Sequence, residues 1–142
     1  MKHVRDILTI KGTSVDCVPG EENVVTAARL MNDQRIGALV VTQDGRMVGI
    51  FTERDILMRI VAAGRDPNTT IIQDVMSAPC VIVSPEDSLA QCKAIMTQKR
   101  IRHLPVVAGD DLVGIVSTGD VLASENHELE TTINYLNEYI YG

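Results

Sequence analysis

Apolar residues fall along this chain in two rhythms that alternate and then begin again. Leu89, Cys92, Ile95 and Met96 stand at i, i+3, i+6 and i+7, the spacing of one buried helix face, and Pro85-Glu86-Asp87-Ser88 opens that helix with Asp87 or Ser88 as N-cap. The pattern then changes to runs of apolar residues over 101–107 and 112–116 about the turn Gly109-Asp110-Asp111, which predicts an antiparallel hairpin. The same grammar occurs earlier. Val24, Ala27, Leu30 and Met31 mark a helix face, and apolar runs over 36–41 and 47–51 flank the turn Asp44-Gly45. A further helix is expected from Asp55 through Val61 to Gly64, with Pro67 just beyond as a breaker. Because both strands of each hairpin are continuously apolar, helices rather than water should cover the sheets, giving an α+β (α/β) fold.

The recurrence is a duplication. Shifting the sequence by 65 residues aligns 43 consecutive positions without a gap, and twelve pairs are identical, among them Met31/Met96, Arg35/Arg100, Ile36/Ile101, Gly49/Gly114 and Asp55/Asp120. A weaker echo precedes each copy: Val4-Arg5-Asp6-Ile7-Leu8 against Ile72-Gln73-Asp74-Val75-Met76. A unit of this size, with one short hairpin and two helices, leaves apolar sheet exposed that a second unit can bury. The expectation is therefore one module with pseudo-twofold symmetry. It divides into residues 1–66 with their lead-in helix, residues 67–124, and a tail of residues 125–142.

The tail has a different character. Leu129, Ile133, Leu136 and Ile140 recur at i, i+4, i+7 and i+11, the stripe of an amphipathic helix, and three of the four aromatic residues, Tyr135, Tyr139 and Tyr141, lie there. Such a helix either folds back on its own chain or forms a subunit contact, where tyrosine is enriched.

Composition narrows the function. The 142 residues carry 13 basic and 19 acidic side chains, a net charge of −6, with no basic run, which argues against nucleic acid or an anionic membrane as partner. The longest apolar stretches are far short of the roughly 20 residues that cross a bilayer. Cys17, Cys80 and Cys92 are an odd number without C-x-x-C spacing, and the charged start leaves no room for a secretory leader, so a reducing cytoplasm is the expected setting. The cysteines fall in an expected strand, an expected strand and a helix stripe, and read as packing residues. His3, His103 and His127 are scattered, and no H-E-x-x-H, G-x-S-x-G or phosphate-loop motif occurs, so neither a catalytic constellation nor a metal site is expected.

The informative segments lie where the second hairpin strand of each copy gives way to a helix, Gly49-Ile50-Phe51-Thr52-Glu53-Arg54-Asp55 and Gly114-Ile115-Val116-Ser117-Thr118-Gly119-Asp120. Each sets a hydroxyl three residues before an acid. Free N–H groups at a helix start, with a Ser or Thr hydroxyl, favour a phosphate, and a carboxylate can accept both hydroxyls of a ribose diol. Gly49 and Gly114 would let another group approach the backbone closely. The same spacing is also a helix capping box, worth about 0.5–2 kcal/mol without any ligand.

The pattern Gly-hydrophobic-hydrophobic-Thr/Ser-x-x-Asp, with Ile101-Arg102-His103-Leu104-Pro105-Val106 and Val81-Ile82-Val83-Ser84-Pro85-Glu86 ahead of it, resembles the CBS domain, and the tandem pair resembles a Bateman module of two β-α-β-β-α repeats. That resemblance implies a non-enzymatic regulatory protein that needs no cofactor and binds AMP, ADP, ATP, NAD or S-adenosylmethionine in a cleft between the repeats. It places ribose acids at Asp55 and Asp120, phosphate-facing hydroxyls at Thr52 and Ser117 with Thr118 beside the latter, and adenine contacts at Ile36 and Ile101. It also places phosphate-contacting basic groups at Arg102 and His103. The first copy has Gly37 and Ala38 there instead, and Arg54 is the cation available to it. The resemblance further implies a homodimer and an effector protein whose identity the sequence does not give. Each of these residues also has a purely structural role open to it. Arg102 can pair with Asp110 or Asp111, His103 can be a core imidazole, and Arg35 and Arg100 can serve the carbonyls at the helix ends. The remaining alternative is a ligand-independent dimerisation or adaptor protein.

Overall fold

A computed structural model of the chain describes residues 2–125. The lead-in helix α1 (Val4–Lys11) precedes the first copy, made of β1 (Cys17–Pro19), α2 (Val24–Gln34), β2 (Ala38–Gln43), β3 (Arg46–Thr52) and α3. Helix α3 is one α-helical turn, Glu53–Asp55, that widens into a π-helical stretch, Ile56–Val61. A single 3-10 turn, Ile72–Asp74, leads into the second copy, α4 (Leu89–Lys99), β4 (His103–Ala108), β5 (Asp111–Ser117) and α5 (Thr118–Glu125). The mixed helix and strand composition and the two hairpins agree with the expectation. The π-helical widening of α3 left no mark in the apolar spacing. The expected tail helix lies outside the described residues.

Local chemistry explains the element ends. The Ser88 hydroxyl accepts the Gln91 N–H at 3.1 Å while the Gln91 side chain accepts the Ser88 N–H at 2.7 Å, so the cap of α4 is Ser88 rather than Asp87. Both long helices end on an arginine in the left-handed region, Arg35 and Arg100, each at φ 55°. The amides that follow, of Ile36 and Ile101, turn back to the Met31 and Met96 carbonyls at 3.0 and 3.1 Å.

The hairpins are congruent down to a bulge at the same place, between Val41 and Thr42 in one and between Val106 and Val107 in the other. They differ in the third strand. In the first copy β1 pairs in parallel with β2, and the Val40 amide donates to Asp16 at 3.1 Å. The position matching Val40 is Pro105, which has no N–H, so the second copy keeps a single parallel bridge, Val83 to Val106, in place of a strand. Cys80 accordingly sits in irregular chain and is half-buried, Cys17 is exposed, and only Cys92 is a buried packing residue.

The apolar residues form two cores, and each contains the lead-in of the other copy. Val4, Ile7 and Leu8 of α1 pack with Val83, Leu89, Met96, Leu104, Val116 and Val121 of the second copy, while Ile72 and Val75 pack with Val18, Val24, Leu39, Phe51 and Ile60 of the first. Matching backbone bonds fix the exchange. Val4 donates to Asp87 and Arg5 to Pro85, both at 3.0 Å, as Ile72 donates to Glu22 at 2.8 Å and Gln73 to Gly20 at 2.9 Å. The weak echo in the sequence is thus a pair of equivalent lead-ins, each closing its neighbour's core.

The two glycines have the same explanation. A Cβ on Gly114 would lie 2.5 Å from Leu8 Cδ2, and one on Gly49 would lie 2.5 Å from Met76 Sδ and 2.9 Å from the Ser77 carbonyl oxygen. The close approach they allow is therefore to the exchanged lead-ins. Leu8 can swing its side-chain end away, whereas the Ser77 carbonyl belongs to a backbone bridge with Ile50. Gly49→Ala is expected to cost about 1–3 kcal/mol as overpacking, and Gly114→Ala distinctly less. Thermal unfolding of the two variants checks this, and an equal or reversed order would contradict it.

Candidate functional site

Both strand-to-helix junctions close as capping boxes. Thr52 N and Oγ1 donate to Asp55 Oδ2 at 2.9 and 3.2 Å, and the Asp55 amide donates back to Thr52 Oγ1 at 3.2 Å. In the second copy Ser117 N donates to Asp120 Oδ2 at 2.8 Å and the Asp120 amide donates to Ser117 Oγ at 3.1 Å. The first helical amides are also committed. Glu53 N donates to the Gly37 carbonyl at 3.0 Å and Thr118 N to that of Arg102 at 2.9 Å. The anion-friendly backbone expected here is therefore largely consumed by the fold. Negative charge at these junctions would have to be held by side chains.

The two acids differ in what else they hold. Asp55 is only 5% exposed. Its Oδ1 accepts the Ser77 hydroxyl at 2.9 Å and lies 3.7 Å from Arg59 Nε, so both of its oxygens have partners. Asp120 is partly exposed, and its Oδ2 also accepts Lys11 Nζ at 2.7 Å. Burial alone would raise the Asp120 carboxyl, but the hydrogen bonds from Lys11 and Ser117, together with the Lys11 charge, hold it below the usual carboxylate range. Lys11 escaped the sequence analysis. It belongs to α1, more than a hundred residues from its partner, and no local pattern signals such a contact.

The junctions meet between the copies. A Cβ on Gly37 would lie 2.9 Å from Glu53 Oε1 and 3.3 Å from His103 Cε1, so the starts of β2 and β4 converge there with the start of α3. Arg54 Nη1 reaches across to the Arg100 carbonyl at 2.7 Å, at the C-terminal end of α4, where a cation complements the helix dipole. A charge that is unfavourable for its own helix is thereby placed favourably for another. Arg102 is exposed and forms no ion pair with Asp110, Asp111 or any other described residue. The Thr118 hydroxyl turns to the Arg102 carbonyl and the Met96 sulfur, at 3.4 and 3.6 Å. Ile36 and Ile101 are half-buried, each against the core of its own copy. Among the described residues no group of three His, Cys, Asp or Glu side chains could hold a metal ion, and no helix is long and apolar enough to cross a membrane.

This chain belongs to the CBS domain family. The family's model matches residues 4–62 and 72–126, the two copies. The chain is 35% identical over 149 residues to the mitochondrial CBS domain-containing protein CBSX3 of Arabidopsis thaliana, covering 98% of this chain and 72% of the relative. A solved signal-transduction protein with CBS domains from Burkholderia ambifaria superposes with TM-score 0.86 at 35% identity, covering 89% of this chain and 95% of that one. The structure of Hypoxic Response Protein I, described with two coordinated zinc ions, superposes with TM-score 0.73 at 33% identity, covering 87% of this chain and 99% of the other. The fold and the tandem CBS organisation inferred from the repeated motif are thus shown, and the class of protein is regulatory.

His103 gives this site a pH dependence. Burial pushes its imidazole below the usual value of 6.5; Glu53 and Asp120 oppose the shift, and Lys11 and Arg102 add to it. A histidine with a lowered folded-state pKa takes up a proton more readily when unfolded. Its contribution is therefore complete above about pH 6.5 and is lost as pH falls through the folded value. The wild type should lose stability between pH 7 and 5, and His103→Asn should flatten that part of the profile. Denaturant unfolding at several pH values checks it, and parallel profiles would exclude His103 as the source.

Proposed function

We propose that this protein is a non-enzymatic, cytoplasmic sensor of adenosyl nucleotides, such as AMP, ADP, ATP, NAD or S-adenosylmethionine, acting through the groove where the two junctions meet. The observation that carries this reading is the convergence of both copies at Gly37, Glu53 and His103, with Asp120 and its hydroxyl partner beside them. An acid able to accept a ribose diol and basic groups able to meet phosphate then share one groove, with Ile36 and Ile101 at the strand starts for a flat base. In this reading Thr52, Arg54 and Asp55 form the first junction's contribution, and Arg102, His103, Ser117, Thr118 and Asp120 the second's. At the second junction the cap bonds do not compete with this role, because they and Lys11 occupy Asp120 Oδ2 and Oδ1 accepts no hydrogen bond from the described residues.

Occupancy would act by differential affinity for arrangements of the two copies, which an effector protein could then read. A thermal-shift series with AMP, ATP, NAD and S-adenosylmethionine tests the proposal. A ligand at 100 times its Kd should stabilise the protein by about 2.7 kcal/mol, and Asp120→Ala should abolish the shift. A shift that survives Asp120→Ala would place binding elsewhere. No shift with any adenylate would favour the second reading, a ligand-independent adaptor, which the full saturation of Asp55 supports for the first junction.

Assembly as a homodimer fits either reading. Leu57 and Leu122, equivalent in the two copies, are 62% and 46% exposed, and Met58 and Val61 on α3 are 54% and 68% exposed. An apolar cleft of about 330 Å³ between α2, α3 and Pro67, lined in part by Val24, Ala28, Ile60 and Val61, continues that face. A second copy covering it removes this surface from water. Val61→Glu is expected to yield monomers in sedimentation velocity without lowering the melting temperature of the isolated chain, and an unchanged oligomer would exclude this face.

A further inference from the structure

Lys11 lies outside both duplicated junctions, yet it reaches the acid of the second. It is the last residue of α1, and its ammonium donates to Asp120 Oδ2 at 2.7 Å and to the Ile115 carbonyl at 2.9 Å. The first copy has no equivalent. Extending the lead-in echo by its offset of 68 residues aligns Lys11 with Pro79, and the donor that reaches Asp55 from that lead-in is the Ser77 hydroxyl.

Three observations converge on a role for this lysine. At the second junction the amides of Ser117, Thr118 and Asp120 are committed to the cap and to the Arg102 carbonyl, so the charge of an anion there must be met by side chains. Arg54 is committed to the Arg100 carbonyl. Asp120 Oδ1 accepts no hydrogen bond from the described residues, whereas both oxygens of Asp55 are taken and that side chain is buried.

Resting on the adenylate reading above, we propose that Lys11 is a phosphate-binding cation of the second junction alongside the exposed Arg102, moving from Asp120 to the ligand's phosphate as the ligand's diol takes its place on the carboxylate. The exchange keeps every charge partnered. The ligand brings an anion for the ammonium and hydroxyl donors for Asp120, and an ammonium with three donors can hold the Ile115 carbonyl throughout. A nucleoside without phosphate lacks half of the exchange, because it must displace Lys11 and leave that charge without its counter-ion. The first junction has neither an open carboxylate oxygen nor a lead-in lysine, so one phosphate-bearing ligand binds per chain. The moving residue ends the helix that closes the second core, which places the report of occupancy on α1.

Calorimetric titration of the full chain with AMP and with adenosine tests this in the wild type and in Lys11→Met, Lys11→Arg and Asp120→Asn. Lys11→Met should weaken AMP binding about tenfold or more while adenosine binds at least as well as to the wild type, and Lys11→Arg should restore most of the AMP affinity. Unchanged AMP affinity in Lys11→Met, with loss in Asp120→Asn, overturns the role of Lys11 and leaves the adenylate reading intact. Equal loss of AMP and adenosine in Lys11→Met overturns it too, since that lysine would then only support the fold. A wild type that binds neither compound sinks the adenylate reading and this inference with it.

Discussion

The reciprocal exchange of lead-ins is the constraint on which the rest of this molecule depends. Neither hairpin with its two helices closes its own core. Val4, Ile7 and Leu8 complete the second copy, Ile72 and Val75 the first, and each lead-in is held by main-chain bonds to the residues before its neighbour's long helix. Burial of apolar area is non-directional, but these bonds and the close approaches at Gly49 and Gly114 admit only one seating. Two copies that would be marginal alone become one cooperative body.

That exchange also reaches the candidate site. Ser77 continues the second lead-in and donates to Asp55; Lys11 ends the first and donates to Asp120. The contacts that hold the fold together therefore end on the two acids whose duplication points to function. A displacement of either lead-in would therefore break a hydrogen bond to a junction acid.

Pseudo-symmetry is broken at a few positions, each with a local cause. Pro105 in place of Val40 removes a donor and with it a strand. Arg102 in place of Gly37 puts a cation at one strand start and leaves room for Glu53 and His103 at the other. Gly119 in place of Arg54 leaves one junction without the bond that Arg54 makes to α4. Duplication supplies the frame, and these substitutions make the two junctions chemically different.

The sequence by itself determined the local elements, the duplication and the junction motif, because helix faces, apolar strand runs and the Thr/Ser-x-x-Asp spacing are short-range patterns. The offset of 65 residues needs no geometry to be seen, and it led directly to the CBS family. Tertiary structure decided which core each lead-in joins, that Gly49 and Gly114 serve packing, that Arg54 belongs to the end of α4, and that Lys11 sits on Asp120. Those outcomes depend on contacts between residues some 27 to 109 positions apart. A side chain's charge and reach can be read from its name, but the partner it finds is fixed only when distant segments are packed together and their remaining polar groups must be satisfied.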